Sequence, residues 1–437
     1  MSISKNITLN TGSQAGAKII VVIFGVLSTI LLRRYLGRSL YGDFVFVFSL
    51  ATMLSTLADF GSHLITVREA SQNKLNAGLI IGNVFVLRFA FSLLASIPLV
   101  FLGIKSGYPL FLKTALLVSS LIIFLISFKN SLMIIFHTRL KLFYYSLMNI
   151  FISGFNFLGI VFFYSFARTK EISYFVSSQI MALLITVLIF TPLALKLIKL
   201  NFKLNKKIVK RIILQSAPMG GILLMFTFYS RVDTLILKHF QGSEAVGIYG
   251  LTYKVFENLN VFASYLMNSL LPVLSEMAVK KDNQIQFKKM FQIAFDLLFS
   301  AGLLITILLF IFSPLIIKIL TGSVLVSETL SLRILSFALF FSFLNHLTGY
   351  SIIALGEQKK SFFIAALALV FNFSINFVLV PLFSFKAAAI NTILTEVLVF
   401  SLTVLVIRKK LGGFLKLNTF LKTTTSFLIN KGRIFNV

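Results

Sequence analysis

Two short stretches of otherwise apolar sequence carry opposite charges at close spacing. RVD sets Arg231 and Asp233 two residues apart, and KVFE sets Lys254 and Glu257 three apart. On a helix the i,i+3 pair meets along one face, whereas residues two apart point away from each other. One of Arg231 and Asp233 therefore faces a neighbouring helix and the other a different surface. Further charges stand alone in apolar runs: Lys18, Asp59, Arg88, Lys129, Asp296, Arg333 and Glu396. Lys18 and Arg88 have no acid within one turn of their own helices. Cations so placed suit a phosphate, which arginine can grip with two parallel hydrogen bonds. Asp59, Asp233, Glu257, Asp296 and Glu396 are carboxylates on which a proton or sodium gradient could act. The same charges would equally serve as neutralised networks that fix helix packing, and the residues alone leave both readings open. Lys129 and Arg333 lie near span ends, where snorkelling to the interface is the default. His63 and His346 read as single histidines hydrogen-bonded in place.

Catalytic signatures are missing. There is no GxxxxGK[ST], HExxH or GxSxG segment, and the four histidines lack metal-ligand spacing. With no cysteine, disulfides, thiolate metal sites and thiol nucleophiles are excluded. The expectation is a protein that is not an enzyme and carries no cofactor.

The elements that hold these residues follow from composition. Of 437 residues, 58% are hydrophobic and 12% charged, and the mean hydropathy is +0.96. Soluble domains carry about 25% charged residues. At about 20 apolar residues per crossing, the chain predicts an all-α polytopic membrane protein with about twelve spans. The spans are expected near 13–32, 42–66, 79–104, 110–135, 143–167 and 174–198, then 213–237, 246–273, 290–316, 330–355, 361–383 and 387–407. Two six-helix lobes, 1–205 and 206–410, are followed by a cytoplasmic tail, 411–437. In that tail Phe414, Leu417, Leu421 and Leu428 approach the spacing of an interfacial helix.

Polar residues precede the first apolar run and no A-x-A site follows it, so no cleavable signal peptide is expected. Most Lys and Arg fall on one side if both termini are cytoplasmic, although Arg33, Arg34 and Arg38 go against the trend. The net charge of +28 is read as this bias together with anionic lipids and an anionic substrate, not as nucleic-acid binding. Pro98, Pro192, Pro218, Pro272, Pro314 and Pro381 sit in or at the ends of spans. An internal repeat is also visible. LRRYLGRSLYGDF and LKHFQGSEAVGIY align Gly37 with Gly242 and Gly42 with Gly247, and FNF recurs at Asn156 and Asn372. Six spans per half give both halves one orientation, the arrangement of transporters that alternate access between lobes.

The segment QSAPMGGILLMFTFYSRVDTLILKHFQGSEAVGIYGLTYKVFENL resembles the opening of the second half of polysaccharide transporters. These belong to the multidrug/oligosaccharidyl-lipid/polysaccharide exporter superfamily. The N-terminal run from Ser4 to Ser71, with Asp59, Gly61, Arg68, Glu69 and Ala70 after its second span, is similar to the start of the same proteins. IIALGEQKKSFF fits as well. The resemblance covers nearly the whole chain and is nearest to the O-antigen flippase group. It implies a two-lobed V-shaped bundle in the bacterial cytoplasmic membrane. Its implied substrate is undecaprenyl-pyrophosphate-linked oligosaccharide, carried from the cytoplasmic to the outer leaflet with proton or sodium coupling.

A polysaccharide polymerase and chain-length machinery are the implied partners. Lys18, Arg88, Arg231 and Lys254 are then the expected cations of the substrate cavity. Asp59, Asp233, Glu257, Asp296 and Glu396 are the expected coupling or network acids. The alternative is a cation-coupled multidrug exporter of the same superfamily. Six basic against five acidic intramembrane residues argue mildly against it. A polymerase or ligase acting on lipid-linked sugars would need a substantial outer loop, which the sequence lacks.

Overall fold

The computed structural model describes residues 3–279, 284–412 and 419. Within hydrocarbon every backbone N–H and C=O needs an internal partner, and a helix supplies them within one segment. The regular structure among the described residues is accordingly helical. In order the elements are α1 (Ile3–Asp59), α2 (Ser62–Gln72), α3 (Ala77–Lys105), α4 (Leu110–Thr138), α5 (Leu142–Phe166) and α6 (Ile172–Leu197). Then follow α7 (Lys206–Tyr229), α8 (Val232–Val279), α9 (Gln284–Thr321), α10 (Val326–Ala354), α11 (Gln358–Phe383) and α12 (Phe385–Leu411). Ten stretches are long and apolar enough to cross a membrane, and two of them, Gly16–Gln72 and Lys206–Ala278, run to 57 and 73 residues. At 1.5 Å per residue each of these two is long enough for two crossings, which gives the expected twelve. Apart from Thr419, the tail beyond 412, with its expected interfacial helix, lies outside the described residues.

Packing divides the chain into two units, 1–231 and 232–437. In the first, α4 packs on α3, α6 and α1, while α5 packs on α1 and α6. In the second, α10 packs on α9, α12 and α8, while α11 packs on α12 and α8. The two patterns match element for element, α3–α6 against α9–α12. The core of the first unit gathers Ile80, Ile81 and Val84 of α3, Leu132, Ile135 and Phe136 of α4, and Phe190 and Ala194 of α6. Large apolar side chains such as Leu94, Phe101, Leu188, Leu304 and Val378 point outward, as a lipid-facing surface requires. By its contacts α7 packs against α1, α2 and α3 of the first unit.

The repeat seen in the sequence has a backbone counterpart. α1 turns at Gly37 with φ 75° and ψ −169°, and α8 turns at Gly242 with φ 75° and ψ −170°. A Cβ at either position would meet nothing within 4 Å, so glycine is required by the dihedral angles and not by space. Gly37→Ala or Gly242→Ala is therefore expected to cost about 1–3 kcal/mol through backbone strain alone. Thermal unfolding of the purified chain checks this, and an unchanged midpoint would mean that the turns adjust freely.

Two spans are interrupted where the hydropathy predicts continuous helices. The second expected span breaks after Asp59, where Phe60 (φ 43°) and Gly61 (φ 66°) are both left-handed, and resumes as α2. The seventh, expected over 213–237, breaks at Ser230 and Arg231 between α7 and α8. Gly61 lies against α7: a Cβ added there would stand 2.6 Å from the Gly220 amide nitrogen. One on Gly220 would stand 2.6 Å from the Phe60 carbonyl oxygen. The first break is thus held by direct backbone contact, which only glycine on both sides permits.

The segment joining α6 to α7 is strapped along α3. The Asn201 amide donates to the Gly78 carbonyl (3.1 Å), and the Asn83 side chain donates to the Lys203 carbonyl (3.0 Å). Asn83 also accepts from the Asn205 amide (2.7 Å). Asn205 in turn caps α7 by accepting from Lys207 and Ile208 at 3.0 and 3.3 Å.

Two further charges act locally. Pro314 lacks an N–H, so the Phe310 carbonyl one turn earlier has no helical partner. The Arg333 guanidinium donates to that carbonyl (3.3 Å) and to the Ser313 hydroxyl (3.1 Å), and lies 5.2 Å over the Phe310 ring. The Ser313 hydroxyl donates to the same carbonyl at 3.0 Å, so Ser313 and Arg333 together satisfy the group that the proline leaves open.

In the loop before α11, Glu357 pairs with Lys360 (3.0 Å) and with Lys410 at the end of α12 (3.1 Å). The Lys360 and then the Lys410 hydrogen bonds hold its carboxyl below the ordinary value of 4.5. A depressed folded-state value makes this contribution present above pH 4.5 and lost as pH falls through the folded value. The stability difference between wild type and Glu357→Gln is expected to vanish on acidification; a difference independent of pH would contradict the pairing.

Candidate functional site

In the first unit the interrupted second span, α3 and α4 build one polar cluster. Arg88 is 1% exposed and its guanidinium pairs with Asp59 across helices. Its Nε donates to the Ser62 hydroxyl (2.9 Å) and another nitrogen to the Ser131 hydroxyl (3.4 Å). Ser62 opens α2 and donates to the Asp59 carbonyl (2.7 Å), so the break itself presents both the carboxylate and the hydroxyl to Arg88. Lys129 of α4 lies within electrostatic range of Asp59 and of His63. His63 shares a 3.1 Å hydrogen bond with His137. Arg88 thus has an acid partner supplied by another helix, and His63 is one of a pair, not a lone histidine. Lys18 is half-buried on the first arm of α1.

In the second unit Asp233 follows the break at Ser230–Arg231 and is 2% exposed. The Tyr249 hydroxyl donates to its carboxylate across the turn at Gly242, and the Thr234 amide donates to it at 3.0 Å. Tyr249 also contacts the Thr392 hydroxyl (3.0 Å). Beside Thr392, the Asn391 side chain donates to the Asn372 carbonyl (2.8 Å). Asn376 donates to the Asn372 side chain (3.0 Å), which itself donates to Thr395 (3.1 Å). Asn376 and Asn391 are fully buried, and each keeps an amide oxygen without a hydrogen-bond partner. The cluster therefore offers a carboxylate and several neutral oxygens in a region with little access to water.

Glu396 is a second buried acid, bonded by neutral side chains. Asn345 donates to its carboxylate (2.6 Å) and to its backbone carbonyl (2.8 Å), and the Ser342 hydroxyl bonds the carboxylate as well. Asn260 donates to that same hydroxyl at 2.7 Å. His346 is bonded to the Ser342 carbonyl (2.8 Å). Asp296, fully buried on α9, accepts from Gln292 (2.8 Å) and from Thr419 (3.1 Å). Lys254 and Glu257 form the i,i+3 pair that their spacing predicts, at 3.5 Å and partly exposed. Arg231, half-buried, stands in the break, not within a continuous helix.

The sequence reading followed charges and passed over the neutral partners. Ser62, Ser131, Tyr249, Asn345, Asn372, Asn376, Asn391 and Thr392 carry as much of the clusters as the ionised groups do. Their signal was present: Asn372 and Asn376 are one turn apart in an apolar run, as are Asn391 and Thr395. No group of three His, Cys, Asp or Glu side chains gathers among the described residues.

The solved structures this chain resembles share its fold. The lipid II flippase MurJ in an inward closed conformation superposes with a TM-score of 0.74 at 14% identity, over 95% of this chain and 90% of that one. An inward-facing multidrug resistance MATE family transporter of the MOP superfamily gives 0.70 at 15% identity, over 92% and 98%. A MOP superfamily transporter from Pyrococcus furiosus gives 0.61 at 14% identity, over 94% and 96%. An uncharacterized membrane protein of Methanocaldococcus jannaschii, MJ1375, is 27% identical over 210 residues, and the chain spans about half the length of this curated relative. The MatE family model matches residues 218–378. The model described as polysaccharide biosynthesis protein matches residues 7–278, more than half of the chain. With helices for about twelve spans, a packing pattern repeated between α3–α6 and α9–α12, and the fold of MOP superfamily transporters, this chain belongs to the polysaccharide biosynthesis protein family.

Proposed function

We propose that the chain carries a lipid-linked oligosaccharide, a sugar repeat unit on an isoprenoid pyrophosphate, from the cytoplasmic to the outer leaflet. It does so by alternating access, driven by a proton or sodium gradient, in the cytoplasmic membrane of a bacterium with both termini inside. The observation that carries this reading is the placement of buried charge at helix breaks. Irregular backbone at membrane depth is tolerated where it is buried in protein or lines a cavity. Transporters bind substrates and coupling ions at such interruptions. Here Asp59 and Arg88 meet at the Phe60–Gly61 break, and Arg231 and Asp233 flank the break after α7.

In this reading Lys18, Arg88, Arg231 and Lys254 supply positive charge for the pyrophosphate. Arg88 does so from its pair with Asp59. Asp233 and Glu396, each bonded by neutral donors, take up and release the coupling ion; Asp296 and Glu257 belong to the same charge network. A polysaccharide polymerase and chain-length machinery would receive the translocated unit. The fold likeness to a lipid II flippase and the family match support a lipid-linked substrate. The MatE match over 218–378 favours, as the second reading, a cation-coupled drug exporter.

Depletion of the protein separates them. Isoprenoid-linked oligosaccharide protected from an impermeant sugar-modifying reagent is the expected result. Accumulation on the outer side would point to a polymerase or ligase, and no accumulation with new drug sensitivity to an exporter. Asp233→Asn and Arg231→Gln, with expression matched, are expected to abolish translocation. Full activity of both would remove the site assignment.

A further inference from the structure

The stretch from the end of α6 through the first turns of α7 carries seven cations in sixteen residues: Lys196, Lys199, Lys203, Lys206, Lys207, Lys210 and Arg211. Arg211 pairs with Glu69 at 2.7 Å. The six lysines have no acid partner among the described residues. A mobile loop would spread such charge, but this one is strapped to α3 through Asn83, Asn201 and Asn205, so its lysines are presented from a fixed frame.

On that frame, Lys206 and Lys210 stand one turn apart on the first turns of α7, beside an open groove of about 300 Å³. Its other walls are Leu204, Val209, Ile213 and Leu214, and Leu204 and Leu214 are well exposed although apolar. Along one face the sequence runs lysine, lysine, leucine at i, i+4 and i+8. The rise of 1.5 Å per residue places Leu214 about 12 Å further along the axis than Lys206. A phosphate at one end and a hydrocarbon chain at the other is the complement of that order.

We infer that this groove binds an anionic glycerophospholipid, with its phosphate between Lys206 and Lys210 and an acyl chain against Leu204, Ile213 and Leu214. The lysine stems line the chain while their ammonium groups hold the head, the usual division of labour of snorkelling lysines. The inference is independent of the transported substrate, since no residue of the clusters at the helix breaks takes part.

The test uses the full chain, purified with dioleoylphosphatidylglycerol or dioleoylphosphatidylcholine, and native mass spectrometry to read bound lipid. The expected result is retention of phosphatidylglycerol over phosphatidylcholine. Lys206→Gln/Lys210→Gln should weaken it about tenfold or more, and Leu214→Gln should weaken it with all lysines intact. Lys141→Gln, at an exposed lysine outside the strap, should change nothing. Thermal midpoints confirm that the variants are folded. Equal retention of the two lipids, or no effect of the double lysine variant, would overturn the inference. So would full displacement by inorganic phosphate at the same concentration, which would make the groove a free-phosphate site. Displacement by an isoprenoid pyrophosphate but not by phosphatidylglycerol would assign the groove to the transport path instead, and overturn the phospholipid assignment while leaving the proposed function standing.

Discussion

Replacing Arg88 by glutamine is expected to lower stability by about 3–5 kcal/mol, the cost of leaving one member of a buried ion pair without its partner. The side chain is 1% exposed, and four groups converge on one arrangement: Arg88, Asp59, Ser62 and Ser131. A neutral amide of similar length leaves the Asp59 carboxylate facing Lys129 as its remaining cation. Asp59→Asn on its own should do comparable damage by stranding the guanidinium. The double variant Asp59→Asn/Arg88→Gln should recover much of the loss, because neutral side chains restore charge balance at the break. Denaturant or thermal unfolding of the purified protein measures all three. Additive effects in the double variant would mean that the two residues do not act as a pair. A folded double variant that no longer translocates would then isolate the contribution of Arg88 to substrate binding from its contribution to the fold.

The second large effect is expected at the strap. A Cβ on Gly78 would stand 2.1 Å from the Lys199 carbonyl oxygen, and one on Gly82 would stand 2.1 Å from that of Asn201. Both contacts are with backbone, so neither can be relieved by a side-chain rotation. Both glycines lie inside α3, where alanine is favoured by about 1 kcal/mol on helix propensity alone. Propensity and packing therefore predict opposite signs, and the overlap decides between them. Gly78→Ala and Gly82→Ala are expected to destabilise by about 1–3 kcal/mol and to lift the linker off α3. Trypsin reads the local effect, because Lys199, Lys203, Lys206 and Lys207 become better substrates once the strap opens. Cleavage within 199–207 should accelerate about tenfold. A stabilised variant with unchanged cleavage would show that the linker has room to retreat.

Much of this architecture was legible in the sequence because hydropathy and span length are properties of single segments. The twelve spans, the pairing of Lys254 with Glu257 and the repeat at Gly37 and Gly242 all follow from spacing along the chain. The last is the most informative, since a pair of glycines at matched positions corresponds to a pair of matching backbone turns. What the sequence concealed depends on contacts between distant segments. No spacing rule announces that Arg88 meets Asp59, 29 residues earlier, or that Gly61 lies against Gly220. The breaks at Phe60–Gly61 and Ser230–Arg231 coincide with Asp59 and with Arg231 and Asp233, but charges within an apolar run do not by themselves say that the helix stops there. Neutral polar residues were undervalued for a related reason: Asn345 or Ser62 is unremarkable until a neighbour turns it into a ligand for a charge.

Arg333 and Pro314 have a consequence for how this chain can change over generations. The guanidinium answers a carbonyl that the proline leaves open, so each residue sets the penalty for altering the other. Loss of Arg333 on its own leaves that carbonyl with the Ser313 hydroxyl as its donor, at 3.0 Å. Loss of Pro314 restores the helical donor to that carbonyl, while the arginine keeps the Ser313 hydroxyl and the face of the Phe310 ring. Drift at either site is therefore buffered by Ser313, which holds the open carbonyl and the guanidinium alike. While Pro314 stands, descendants of this chain should lose Ser313 or Arg333 singly far more often than both together, because one donor must remain for the Phe310 carbonyl.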